Sequence, residues 1–141
     1  MPREYHQGTW EQVRALSPAV VTRGGRVVWL SGDIGASESE EDLAGQSIGH
    51  DRTHFPTDFD SQVHNTFRRI GATLEKVGGA LHDIVKMTVY IKDGRNQQRF
   101  VELRKGYFPD NAPASTLITI TGFAIEEMQI EIDAIAVIGD D

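Results

Sequence analysis

Residues 85–92 read VKMTVYIK. Val85, Met87, Val89 and Ile91 alternate with Lys86, Thr88, Tyr90 and Lys92, the period of two expected of a strand with one face on a core. Just upstream, Phe59, Val63, Phe67, Ile70, Leu74 and Val77 recur at helical spacing, and Gly78-Gly79 stops the run. Thr57 or Asp58 can cap this helix. The spacing predicts about five turns with one apolar stripe, which must lie on a sheet. Downstream, Asn96 can cap a second helix with a stripe of Phe100, Leu103 and Tyr107, ended by Phe108-Pro109-Asp110. Strands are predicted over 117–121 and, with mixed character on both faces, over 128–138, MQIEIDAIAVI. Toward the N-terminus, AVVT (Ala19–Thr22) and RVVWL (26–30) flank Arg23-Gly24-Gly25, which predicts a β-hairpin. That hairpin ends at Ser31-Gly32, where a strand is expected to meet a loop. The order β-β-α-β-α-β-β implies an α+β domain with two helices on one face of the sheet.

The 141 residues bound a single domain, with 39% hydrophobic and 25% charged residues. No apolar run approaches the roughly 20 residues of a membrane helix, and MPREYHQGTW lacks the apolar core of a secretory signal. A cytoplasmic location and no membrane partner are therefore expected. There is no cysteine, which excludes disulfides, thiolate metal sites and cysteine nucleophiles. Lys plus Arg is 14 against 21 for Asp plus Glu, a formal charge of −7. Such a chain repels a phosphate backbone, so nucleic acid is a poor partner. The densest basic group, Arg95, Arg99, Arg104 and Lys105, reads as a solvated helix face.

The stretch 33–58 is long and polar, containing ASESEED and GHDRTHFPTD. A connection of this length points to a functional lid or disorder, with a short helix near 38–44. His50 and His54, with His64, match no strong zinc motif, so no metal and no cofactor are expected. Trp29 reads as core and His82 as surface. Thr88, Tyr90, Ile135 and Val137 form a second sheet face too apolar for water, which association with copies of the chain would cover.

GATLEKVGGALHDIVKMTVYIKD (71–93), FVELRKGYFPDNAPAST (100–116) and QIEIDAIAV (129–137) together resemble the Rid family, also called YjgF-like or endoribonuclease L-PSP-like. The pattern covers most of the chain from Val27 onward. The resemblance implies a chorismate-mutase-like (Bacillus-type) α+β subunit with a mixed sheet and two helices on one face. It also implies a homotrimer whose sheets form a central barrel, with clefts between subunits. Family members of the best-known type hydrolyse reactive enamines and imines to keto acids and ammonia. That chemistry asks for a cation to hold the substrate carboxylate and a carboxylate to handle protons and orient water.

The deaminating members read Pro-Ala-Arg-Ser/Thr where this chain reads Pro113-Ala114-Ser115-Thr116. Serine cannot form the arginine's bidentate pair, a loss of several kcal/mol in a desolvated cleft. The family's Gly-Pro-Tyr aromatic is replaced by Leu16 or Ala19, its second-helix asparagine by Val101, and the glutamine after the strand-end glycine by Asp33. Glu131 matches the cleft glutamate, and Ser31-Gly32 the strand end that lines the cleft.

Glu131 is thus the catalytic candidate; the plainer reading is an outward residue between Ile130 and Ile132. Ser115 and Thr116 can hydrogen-bond a carboxylate or carbonyl, or simply open a strand after Pro113. Asp33 is a second cleft carboxylate whose pairing with Glu131 would push their pKa values apart, or a turn aspartate. Arg52, or a histidine of the 50–54 segment, would replace the lost cation if that part of the long loop folds over a neighbouring cleft. The resemblance favours a deaminase-type hydrolase of an enamine, imine or similar small metabolite, with 2-aminomuconate-deaminase-like activity a better fit than general imine deamination. The alternative is a non-catalytic small-ligand-binding or chaperone-like trimer. Ribonuclease activity, reported for some relatives, fits the acidic chain less well.

Overall fold

The computed structural model describes residues 3–6, 8–37 and 55–139. In chain order these form β1 (Arg3–His6), α1 (Thr9–Val13), β2 (Ala19–Thr22), β3 (Arg26–Ile34), α2 (Phe59–Lys76), β4 (Ile84–Ile91), α3 (Gln97–Tyr107), β5 (Ala114–Thr119) and β6 (Ile130–Ile138). The main sheet runs β3-β6-β4-β5. It is mixed: β4 and β5 are parallel, joined through α3, and the other pairs are antiparallel. A separate ribbon pairs β1 with β2. No helix among the described residues is long and apolar enough to cross a membrane.

Helix α2 starts and stops on recognisable chemistry. The Asp58 carboxylate accepts from Ser61 N at 2.9 Å, so Asp58 rather than Thr57 is the cap, and hydrogen bonding by the Ser61 side chain and then by its backbone N–H lowers the Asp58 pKa. At the far end Gly78 takes φ +85°, while Gly79 N reaches Leu74 O and Gly78 N reaches Glu75 O. This crossed pair satisfies the last carbonyls and needs a residue free to enter the left-handed region. Its stripe of Val63, Phe67, Ile70 and Leu74 is buried against Met87, Val89 and Ile91 of β4 and Ile130, Ile132, Ala134 and Ala136 of β6. Phe67 stacks on Tyr107 at 4.3 Å and meets Phe108 edge-on, which locks α2 to the end of α3. Both helices cover one sheet face, as the periodicities require.

Several expectations are corrected. Asn96 makes no side-chain cap for α3; a short 3₁₀ turn, Gly94–Asn96, precedes it, and Asp93 caps that turn through Arg95 N. The 117–121 strand begins earlier, at Ala114, and so contains Ser115 and Thr116. The predicted hairpin does not form: β2 pairs with β1 and β3 with β6, although Gly24 and Gly25 do turn the chain with positive φ. Arg3 anchors the ribbon to the main body through Asp83 at 3.1 Å and the carbonyls of His82 and Val137. Nor does β3 end at Ser31-Gly32; it continues through Ile34 after a register break. Trp29, read as core, is 76% exposed. It pairs with Ile135 on the face without helices, which also carries exposed Val27 on the same strand and exposed Ile118 on the opposite edge strand.

Candidate functional site

The register break in β3 builds the first candidate site. Leu30 pairs with Ala134, and pairing resumes with Asp33 opposite Ile132 and Ile34 opposite Glu131, leaving Ser31 and Gly32 in the irregular turn of the strand. A Cβ on Gly32 would collide with Glu131 Oε2, so the glycine makes room for this carboxylate. On its other side Glu131 is paired with Tyr90 of β4, whose hydroxyl donates to Asp133 Oδ2 at 3.4 Å. Burial raises the Glu131 pKa above the ordinary carboxylate value, and the charges of Asp133 and then Asp33 push it further the same way. Asp133 likewise raises the Tyr90 pKa.

Asp33 is tied down more firmly. Arg69 of α2 donates from Nε to Asp33 Oδ1 at 2.8 Å, in a pair with side chains 13% and 17% exposed. The same oxygen accepts from Ile34 N at 3.0 Å. Asp33 therefore orients the strand end and contributes charge to the Glu131 environment.

Ser115 and Thr116 do not act together, because consecutive strand residues face opposite ways. Ser115 is paired with fully buried Met87 and Thr116 with Thr88. Thr116 lies on the open face and accepts from Lys86 Nζ at 2.9 Å. Ser115 looks toward the helices, where its hydroxyl accepts from Arg104 Nη1 at 2.7 Å. Arg104, expected on a solvated helix face, is 1% exposed. Only its neighbours Arg95, Arg99 and Lys105 behave as expected and stay exposed.

Within one chain the structure thus gathers Ser31, Gly32, Asp33 and Glu131, and separates them from Ser115. Arg52, His50 and His54 lie outside the described residues. His64, on α2, meets the Tyr107 hydroxyl at 2.5 Å. Sequence reasoning missed Tyr90, Asp133 and Arg104. Arg104 had a signal: it follows Phe100 by four residues, which places it beside the buried stripe of α3.

The endoribonuclease L-PSP family model matches residues 10–138. A RutC family protein of Saccharolobus solfataricus is 29% identical over 112 residues, covering 79% of each chain. One from Pyrococcus abyssi is 33% identical over 79 residues, 56% of this chain and 61% of that protein. The match thus spans about three fifths of the Pyrococcus relative's length. Among solved structures, YyfB of the Rid protein family from Yersinia pestis superposes with a TM-score of 0.77, at 18% identity, over 98% of this chain and 100% of that one; this likeness is one of fold. TdcF of E. coli with bound serine gives a TM-score of 0.62 at 25% identity over 83% and 84%.

Proposed function

Because the chain belongs to the Rid/YjgF (endoribonuclease L-PSP) family, we propose that it hydrolyses an enamine or imine of a small metabolite to the carbonyl compound and ammonia. The observation that carries this reading is Glu131, a partly buried carboxylate whose pKa is raised by burial and by two neighbouring carboxylates. Such a group holds a proton further toward neutral pH than an ordinary glutamate. It donates that proton to the imine nitrogen, or to the β-carbon of an enamine. Water then adds to the electrophilic carbon and gives its own proton to the Glu131 carboxylate. Glu131 then returns that proton to the carbinolamine nitrogen and takes up the hydroxyl proton as the C–N bond breaks, so that the nitrogen leaves as ammonia and the carbonyl forms. Gly32 leaves the carboxylate accessible, and Tyr90 with Asp133 fixes the neighbouring charge.

The site is proposed to lie in a cleft between copies of the chain in a homotrimer. Exposed Trp29, Val27 and Ile118 on the helix-free face support this, since association would remove them from water. Ammonia release from enzymatically generated imino acids, scanned over small aliphatic, aromatic and 2-aminomuconate-like acidic substrates, tests the reading. Glu131→Gln is expected to slow release by about 100-fold or more. An unchanged rate in that variant would refute the assignment.

One observation favours a second reading, a non-catalytic small-ligand-binding or chaperone-like trimer. Ser115 and Glu131 open onto opposite faces of the same chain, so a ligand held at one does not reach the other within that chain. This reading predicts thermal stabilisation by ligand with no ammonia released from any imine.

A further inference from the structure

Helix α2 turns two polar side chains, one helical turn apart, onto the end of β3. Arg69 Nε donates to Asp33 Oδ1 at 2.8 Å, and both side chains are largely withdrawn from water. Asn65 is buried, and its Nδ2 donates to the Gly35 carbonyl at 3.2 Å. The Asn65 amide oxygen accepts from Arg68 Nη2 at 2.5 Å, which sets the orientation of the amide. Gly35 lies so close to α2 that a Cβ on it would stand 2.7 Å from Gln62 backbone atoms. Gln62, Asn65 and Arg69 share one helix face, and that face grips residues 33–35.

What the grip controls lies on the other side of the sheet. Asp33 stands opposite Ile132, a buried residue of the helix side, while Glu131, the next residue along β6, points the other way. Gly32 precedes Asp33, and a Cβ on it would stand 2.4 Å from Glu131 Oε2. Pairing with β6 is interrupted between Leu30 and Asp33, so the ladder does not hold Gly32 in place. It resumes at Asp33, whose Oδ1 accepts from both Arg69 Nε and Ile34 N. The clearance around Glu131 is therefore set from the far face.

The same pair cancels a charge. After burial, Asp133 and then Asp33 are the groups that push the Glu131 pKa up. Arg69 is not among the groups that act on Glu131 directly. Tyr90 of β4 donates to Asp133, and Lys92, farther along β4, donates to the Glu126 carbonyl at 2.6 Å. Among the ion pairs of the described residues, that of Arg69 is the one that engages an acid of this cluster.

We propose that Arg69 is a positioning residue for the Glu131 site, acting through Asp33 from the opposite face of the sheet: it fixes the strand end that leaves Glu131 its space and offsets the Asp33 charge. The inference rests on the reading above for the part Glu131 plays in a reaction, and not for the coupling between these residues.

The test is a magnetic-resonance titration of the full-length protein, isotope-labelled at the glutamate carboxyl carbons; the Glu131 signal is the one that Glu131→Gln removes. Arg69→Met is expected to raise the Glu131 midpoint by about 0.3 pH unit or more, because the Asp33 charge is then unopposed. Asp33→Asn is expected to lower the midpoint. Adding Arg69→Met to Asp33→Asn is expected to change it by less than about 0.2 pH unit, since nothing remains for the arginine to act through. Arg69→Lys, which keeps the charge, is expected to show less than half the rise of Arg69→Met. Arg99→Met, at an exposed arginine of α3, is expected to have no effect. Should Arg69→Met fail to fold, Arg69→Gln takes its place under the same criteria. An unchanged or lowered midpoint on removing the Arg69 charge would overturn the proposal, as would an equal rise in the Asp33→Asn background or in Arg99→Met. The titration needs no turnover, so an absence of ammonia release from the wild-type protein would count against the reaction only. Ammonia release with an unmoved midpoint would count against the role of Arg69 only.

Discussion

On the helix-covered side of the sheet, the Arg104 guanidinium sits almost without water and in no ion pair among the described residues. On the open side, Glu131 and Asp133 sit close together with the Tyr90 hydroxyl next to them. The two causes are the same, burial and a neighbouring like charge, and they act in opposite chemical directions. They lower the pKa of a base, Arg104, and raise that of an acid, Glu131. Each group is thereby moved toward its neutral form. The acid finds relief in a proton, which is what a proton-handling residue needs. The base, at about 10, stays charged at neutral pH and is held by two neutral acceptors, the Ser115 hydroxyl and the Arg14 carbonyl.

The contrast is sharpest in packing. Phe67→Ala, on the helix side, is expected to cost about 4 kcal/mol in denaturant unfolding, because the ring is fully buried among Tyr107, Phe100 and Phe108. Trp29→Ala on the open side is expected to change unfolding of the dilute chain by only about 0.5 kcal/mol while weakening self-association in sedimentation. A large loss at all concentrations would mean that Trp29 is structural within one chain, and the contrast would fail.

A smaller effect is expected where the helix side meets the 55–58 segment. The buried Gln62 amide donates to the Pro56 and Glu127 carbonyls and accepts from Gln129 N, at 2.8–2.9 Å. Gln62→Leu should cost about 2 kcal/mol by leaving those groups unpaired, seen as a lower unfolding midpoint.

On the open side Glu131→Gln should do the reverse. A raised folded-state pKa means that the folded chain holds the proton more tightly than the unfolded one. The contribution to stability is therefore full below the unfolded pKa and lost as pH rises through the folded value. The variant should melt higher than wild type at pH 7, and the gap should close toward pH 4. A gap that widens on acidification would reverse the assigned direction. Smallest of all, Asp58→Ala should lower the melting temperature by a few degrees through loss of the α2 cap.

The regular elements were legible because their periods are carried by the residues themselves. Phe59 to Leu74 and Met87 to Ile91 could hardly read otherwise, and the strand that carries Glu131 was legible through the QIEIDAIAV run. Pairing was less so. The glycines at 24 and 25 do make a turn, but local sequence does not reveal that Arg3–His6 captures β2 and β6 captures β3. Trp29 misled because an indole is usually buried, and here none of the described residues covers it. Arg104 misled because charged neighbours suggested a wet surface, while its spacing from Phe100 pointed inward. The Gly32 clearance around Glu131 depends on a break in register, which leaves no mark in composition.

The alternation at Ser115 and Thr116 has a consequence for how this protein can diversify. Adjacent codons answer to separate surroundings, one to Arg104 on the helix side, the other to Lys86 and the open face. Substitution at the first can change the surroundings of Arg104 without touching the open face, and substitution at the second can change the open face without touching Arg104. Two heritable traits are carried side by side on one strand and remain free to drift apart.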